Sequence, residues 1–418
     1  MQRSDSTRSA PEKESLGSHE APPSPTGSDL TAQIASALPS GYYAKDRGYA
    51  KYFHGRKEVL SLFARLRADA RQERPGGQGT TFLIQGAPGA GKTALLYRCA
   101  EEAEKDGWTV AEINSRALYD PATMSRCLGK PYVAQSRRTL GAAWFASLLR
   151  SKTVAGIPSV YHVLKDIVPK TKGLLLVLDE VQRIGSLASH QRKADVEDTL
   201  EQIHNGGVGG PVILLAGGLG TSRRAFARLS ISRFHRGCVV NLGRLPPGPE
   251  RAIIRDWLVQ DGGAQGDVTP WIDAIARETH GWPQHIITFA EPAAQVVRLC
   301  HGRMVPEGLR IVLRQGQEGK EEYYFARVEE IARQDRMALG EALATLPPGA
   351  SMEEPDVLRI LARNHARAEA KRIFELIVHK GVLAHTREGD FAVPIPSMHH
   401  WLVGQYGRAR TQQRGMGL

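Results

Sequence analysis

Cysteine is scarce: only Cys99, Cys127, Cys238 and Cys300 occur in 418 residues, and no two share a C-x-x-C spacing. That pattern excludes a disulfide framework and a zinc module, and it suits a reducing compartment. Long apolar runs are also missing. None approaches the roughly 20 residues that cross a bilayer, and the N-terminus lacks the apolar core of a signal peptide. No internal repeat is found. The expectation is a soluble, cytoplasmic protein with no membrane partner, long enough for two or three domains.

Basic residues are in surplus, with a net charge of +11. The surplus is uneven. Basic residues outnumber acidic ones by 21 to 13 over residues 81–240, whereas residues 321–418 carry 13 of each. An anionic partner, nucleic acid or a nucleotide's phosphates among them, fits this distribution, as does ordinary solubility.

Residues 1–40 are rich in Ser, Pro, Gly and charge, too polar to offset ordering entropy, and read as a disordered tail. From Thr81 short apolar runs alternate with helical patterns: TFLIQ, WTVAEI, LLLVL, VILLA and CVVNL. Strands apolar on both faces belong to a parallel sheet covered by helices. The fold class is therefore α/β, a three-layer α/β/α sandwich around a five-stranded parallel sheet. Helical periodicity dominates from LPPGPERAIIRDWL onward. The expected division is an α/β core over 41–245, a helical region over 246–320, and a helical linker with a small terminal unit over 321–418.

The chemistry concentrates at TFLIQGAPGAGKT. Gly86, Ala87, Pro88, Gly89, Ala90, Gly91, Lys92 and Thr93 fit G-x-x-x-x-G-K-[ST], with a strand before and a helix after. Glycines let successive N–H groups turn toward phosphate oxygens, and the helix N-terminus adds a favourable dipole. Lys92 is expected to reach the β- and γ-phosphates, and Thr93 to ligate Mg2+ through its hydroxyl. LLLVLDE supplies the partner acids: Asp179 suits the Mg2+ shell, and Glu180 suits polarisation of an attacking water.

Together GAPGAGKT (Walker A) and LLLVLDE (Walker B) resemble the AAA+ ATPases, a clade of the P-loop NTPases. Further segments are similar to the branch of origin-recognition and replication-initiator ATPases. FHGRKEVLSLF, Phe53 to Phe63, resembles the box that lines the adenine pocket there. VILLAGGLGTS resembles the strand whose tip carries the polar sensor-1 residue, a place that Thr221 or Ser222 fits. RLSISRFHRG resembles the box holding an arginine finger, which makes Arg233 the candidate. In that branch the finger acts on a neighbouring subunit's ATP, so the resemblance implies a homo-oligomer in the ATP state. The resemblance implies ATP and Mg2+ as cofactors and ATP hydrolysis as the activity. One departure stands out. The lid segment ETHGWPQHIITFA carries G-x-P, as in the signalling (STAND-like) branch, and no arginine follows it. Gln284 and His285 are the polar residues left in that turn, and Trp282 reads as a core anchor.

The terminal unit reads helix, turn, helix, then VLAHTR and DFAVPI around the turn EGD, the order of a winged helix. Val357, Leu358, Ile360 and Leu361 fit one buried face, and Phe374, Leu376, Ile377 and Val378 another. Arg367, Lys371 and Arg372 fall near one solvent face of the second helix, a placement suited to a DNA major groove. The wing carries a single arginine, Arg387, beside Glu388 and Asp390. Two functions follow. One is a DNA-associated ATPase that grips a duplex through the winged helix. The other is a nucleotide-gated signalling or scaffold switch whose winged helix docks protein.

Overall fold

The computed structural model describes residues 51–72, 81–129, 159–186, 190–205, 207–229, 234, 237–386 and 390–407. The expected tail, Arg233 and the wing residues Arg387 and Glu388 lie outside them.

Five parallel strands form the central sheet: β1 (Thr81–Gly86), β2 (Thr109–Ile113), β3 (Leu174–Leu178), β4 (Val212–Gly218) and β5 (Val239–Leu242), in the order β2-β3-β4-β1-β5. Every residue of β1, β3 and β4 is buried, as two-sided coverage demands of apolar strands. Residues alternate between two cores. Phe82 and Ile84 enter one cluster, while Leu83 enters another with Leu176 and Leu214. Strand β4 separates β1 from β3, so the phosphate-loop sequence and the acidic pair stand at the same sheet edge, one strand apart.

The lid follows as helices Pro247–Asp256, Thr269–Thr279 and Pro283–Leu299. Trp271, Ile254, Leu258 and Phe289 fill a core of its own. His280 and Gly281 take φ of 50° and 75° between the last two helices. That left-handed turn is stabilised by Glu250, which accepts hydrogen bonds from Thr279 Oγ1 and, at 2.6 Å, from the Gly281 N–H. Proline at the first position of the next helix costs no hydrogen bond. The HGWP sequence thereby sets Trp282 and Pro283 at a helix start.

One long helix, Pro306–Val328, runs through the boundary expected at residue 320, and a second, Arg333–Leu343, follows. Helices Glu354–Leu361 and Arg367–His379, the antiparallel pair β6 (Ala384–His385) and β7 (Phe391–Ala392), and a final helix Pro396–Tyr406 complete the chain's described part. Phe374, Phe391, Val393, Ile395 and Leu402 are buried in the same cluster as Phe63, Phe82, Trp282 and Tyr324. The terminal unit thus shares a continuous core with one face of the central sheet. Among the described residues no helix is long and apolar enough to cross a membrane.

Candidate functional site

Strand β1 ends at Gly86, and a helix begins at Lys92 and runs to Lys105. Between them Gly89 and Gly91 take φ of 79° and 85°, values open to glycine at little cost. The loop curls back on itself. Lys92 Nζ donates to the carbonyls of Gly86 and Ala87, at 3.1 Å each. Its side chain is buried, and burial pulls the ammonium below its ordinary pKa against the smaller upward pull of Asp179 and Glu180. A charge so desolvated gains from a nearby anion.

Thr93 Oγ1 donates to Asp179 Oδ2 at 2.6 Å, reaching across the end of β4. This reach depends on Gly217. A Cβ there would lie 2.6 Å from Leu96 Cδ1 and 2.8 Å from Asp179 Oδ1. Asp179 Oδ1 also accepts the Glu180 N–H at 2.8 Å. Glu180 itself has φ of 55°, a strained conformation for a residue with a Cβ. Its carboxylate accepts a hydrogen bond from Gln182 Nε2 at 2.5 Å and remains half exposed.

These residues border a cavity of about 420 Å³. Its floor holds Pro88 through Thr93, with Glu180 on the rim. One end is closed by Tyr52, Phe53, His54 and Arg56 together with Leu245 and Ile253, an apolar and aromatic lining suited to a flat base. Arg56 is anchored by the Gly243 carbonyl and, at 3.5 Å, by the Ala90 carbonyl of the glycine-rich loop, and His54 by Asp256 at 2.6 Å. The lid adds Pro283, Gln284 and Ile287. Of the two polar lid candidates, the structure brings only Gln284 to the cavity, and its N–H donates to the Gly89 carbonyl at 3.2 Å. His285 points the other way, fully buried against Tyr323 and Tyr324. Burial drops its pKa to about 3.

Thr221 does not line the cavity. It precedes the short helix Ser222–Ala227, Ser222 is fully buried, and Leu219 is what this loop presents to the site.

Sequence reasoning missed a further side of the cavity, formed by Arg327, His379 and Lys380. Tyr323 OH donates to the Pro88 carbonyl at 2.7 Å, and Trp282 Nε1 donates to Tyr323 OH at 3.2 Å. Gly381, with φ of 71°, presses so near the loop that a Cβ would lie 2.4 Å from Pro88 Cδ. Residues beyond the lid therefore seat directly on the phosphate loop. The only local signal was the four-residue spacing of Tyr323 and Arg327, which places both on one helix face.

Comparisons agree with this architecture. A family described as an AAA ATPase domain matches residues 52–215. No curated protein matches the chain by sequence. Among solved structures, the Walker-type ATPase PABY2304 of Pyrococcus abyssi superimposes with a TM-score of 0.52 at 12% identity, over 86% of this chain and 99% of that one. The ADP form of the Aeropyrum pernix ORC2 protein gives 0.52 at 17% identity, over 88% and 98%. The same protein in its ADPNP-ADP complexes gives 0.51 at 16% identity, over 88% and 99%. At such identities the likeness is one of fold. Residues 52–215 of this chain thus match an AAA ATPase domain, set within an overall fold shared with those solved structures.

Proposed function

We propose that this protein binds and hydrolyses ATP with Mg2+ and couples the state of the nucleotide to the binding of double-stranded DNA. The observation that carries the ATPase reading is the 2.6 Å contact of Thr93 with Asp179, beside Glu180 on the cavity that holds the glycine-rich loop. The donor set fits the metal. A hydroxyl and a carboxylate oxygen are hard ligands, and Mg2+ takes most of its remaining shell from phosphates and water. The lack of a group of three metal-ligating side chains among the described residues is compatible with that division. When bound, the ion draws charge from the β- and γ-phosphate oxygens.

Each residue then has a defined task. The N–H groups of Gly89, Ala90 and Gly91 cradle the phosphates, and Lys92 turns from two backbone carbonyls to the β- and γ-phosphates. Thr93 and Asp179 hold the ion's position. Glu180 accepts a proton from water as the water oxygen bonds to the γ-phosphorus and the bond to the bridging oxygen breaks, releasing ADP. Arg233 of a neighbouring copy stabilises the charge of that transfer, which makes the ATP state a homo-oligomer. Thr221 serves as sensor once its loop turns it toward the γ-phosphate.

For DNA, the supporting feature is the helix Arg367–His379, read as the recognition helix of a winged-helix unit. Arg367 and Lys371 are exposed on it. Arg372 is exposed too but forms a fork with Glu369, at 2.7 and 3.0 Å. A second reading, a switch whose terminal unit docks protein, is favoured by the seating of Gly381 and Tyr323 on Pro88, since a nucleotide that moved the loop would move the unit.

The test is light scattering of the Glu180→Gln protein with and without ATP and a duplex. Assembly with ATP and salt-sensitive duplex binding support the first reading. Duplex binding that survives replacement of Arg367, Lys371 and Arg372 together, or no duplex binding at low salt, overturns its DNA half. Turnover by Glu180→Gln at the wild-type rate overturns its catalytic half.

A further inference from the structure

We propose that Arg327 is a phosphate-binding residue of the nucleotide site, supplied from outside the AAA domain by the helix that leads into the terminal unit. The inference rests on the nucleotide reading above. The site otherwise offers few cations: Lys92 from the phosphate loop, Arg56 with its guanidinium engaged by the backbone carbonyls of Gly243 and Ala90, and no arginine from the lid. Lys380 also lines the cavity, but its ammonium is engaged by Glu330.

Arg327 differs in being placed and unspent. Its guanidinium lies 4.4 Å from the centre of the Tyr323 ring. Tyr323 is in turn fixed to the loop through the Pro88 carbonyl at 2.7 Å and to the lid through Trp282. The arginine is thus positioned from the same loop that would cradle the phosphates. Of its N–H donors, Nη1 reaches the Lys380 carbonyl at 3.3 Å. No carboxylate pairs with it among the described residues. A half-buried guanidinium with most of its five donors open, in a cavity shared with Lys92, calls for an anion of more than one charge. A polyphosphate meets that demand, and the planar fork can engage two of its oxygens together.

The position has a second consequence. Lys380, whose carbonyl accepts from Arg327, directly precedes the Gly381 that packs on Pro88. Phosphate drawing the guanidinium inward competes with that hydrogen bond, so nucleotide occupancy is felt by the terminal unit of the same chain.

Calorimetric titration of the full chain with ATP and with ADP, each with Mg2+, tests this. Arg327→Met is expected to weaken ATP binding by about 10- to 100-fold, as for loss of charge-assisted hydrogen bonds. Arg327→Lys, which keeps the charge and loses the fork, should fall between the two. Nucleotide-free Arg327→Met should still melt in one cooperative step, lowered only by loss of the Lys380 hydrogen bond and the Tyr323 contact, and Arg359→Met, on an exposed pair with Asp356, should bind as wild type. If Arg327→Met does not fold, the Arg327→Lys titration decides alone, and wild-type affinity there refutes the assignment. Binding of ATP by Arg327→Met within about threefold of wild type, while Lys92→Ala has lost it, overturns the role of Arg327 and leaves the nucleotide site standing. Absence of binding by the wild-type chain overturns both.

Discussion

The seating of the terminal unit on the phosphate loop can be tested by one methyl group. Gly381 has φ of 71°, where a residue with a Cβ pays about 1–2 kcal/mol. Its added Cβ would also lie 2.4 Å from Pro88 Cδ and 3.3 Å from Pro88 Cγ. Neither partner is a flexible side-chain end, and overpacking of this kind costs about 1–3 kcal/mol. Gly381→Ala should therefore weaken the docked arrangement by about 2–5 kcal/mol, the sum of the two effects. Gly349 supplies the control, with φ of 86° and nothing within 4 Å of its notional Cβ. Gly349→Ala should cost only the conformational part. Hydrogen exchange at the amides of 380–383, with thermal melting of both variants, separates the two contributions. Exchange should accelerate in Gly381→Ala and not in Gly349→Ala. Equal melting and equal protection in the two variants would refute the contact.

Two other perturbations follow, one at the site and one in the core behind it. Gly217→Ala would push Leu96 and Asp179 apart from β4, costing about 1–3 kcal/mol of stability and weakening Mg2+-dependent nucleotide affinity more than affinity measured in chelator; equal effects under both conditions would refute the link to Asp179. His285 is neutral in the fold, its pKa lowered to about 3 by burial first and by Lys320 and His280 next, from an ordinary 6.5. The unfolded chain thus binds the extra proton between those values, and stability present above pH 6.5 declines as pH falls through the window, by about 1.4 kcal/mol per pH unit at most. His285→Phe should flatten the pH dependence of melting over pH 4–6.5, and an unchanged slope would refute the assignment.

The local sequence was enough for the parts that act within one strand–turn–helix. GAPGAGKT could be read because its residues are contiguous, and the apolar runs of β3, β4 and the middle of β1 because two-sided burial leaves them few polar positions, Thr81 and Gln85 of β1 being the exceptions. The long helix Pro306–Val328 was harder. Charged residues at 318, 320, 321 and 322 blur its period, and it packs against the helix Pro283–Leu299, a partner distant from its C-terminal half in sequence.

What the sequence determined alone was the local form of the loop, a strand, a glycine-rich curl and a helix start, and the placing of an acid pair at a strand end, since backbone curvature and residue type there are local properties. Only the tertiary structure decided that Asp179 meets Thr93 past a glycine of β4, that His285 turns from the site while Gln284 faces it, that Tyr323 and Gly381 reach the phosphate loop, and that Arg327 lines the same cavity. Those partners lie tens to hundreds of residues apart along the chain. Their meeting is fixed by strand order and by one shared apolar core, neither of which is written in any single segment.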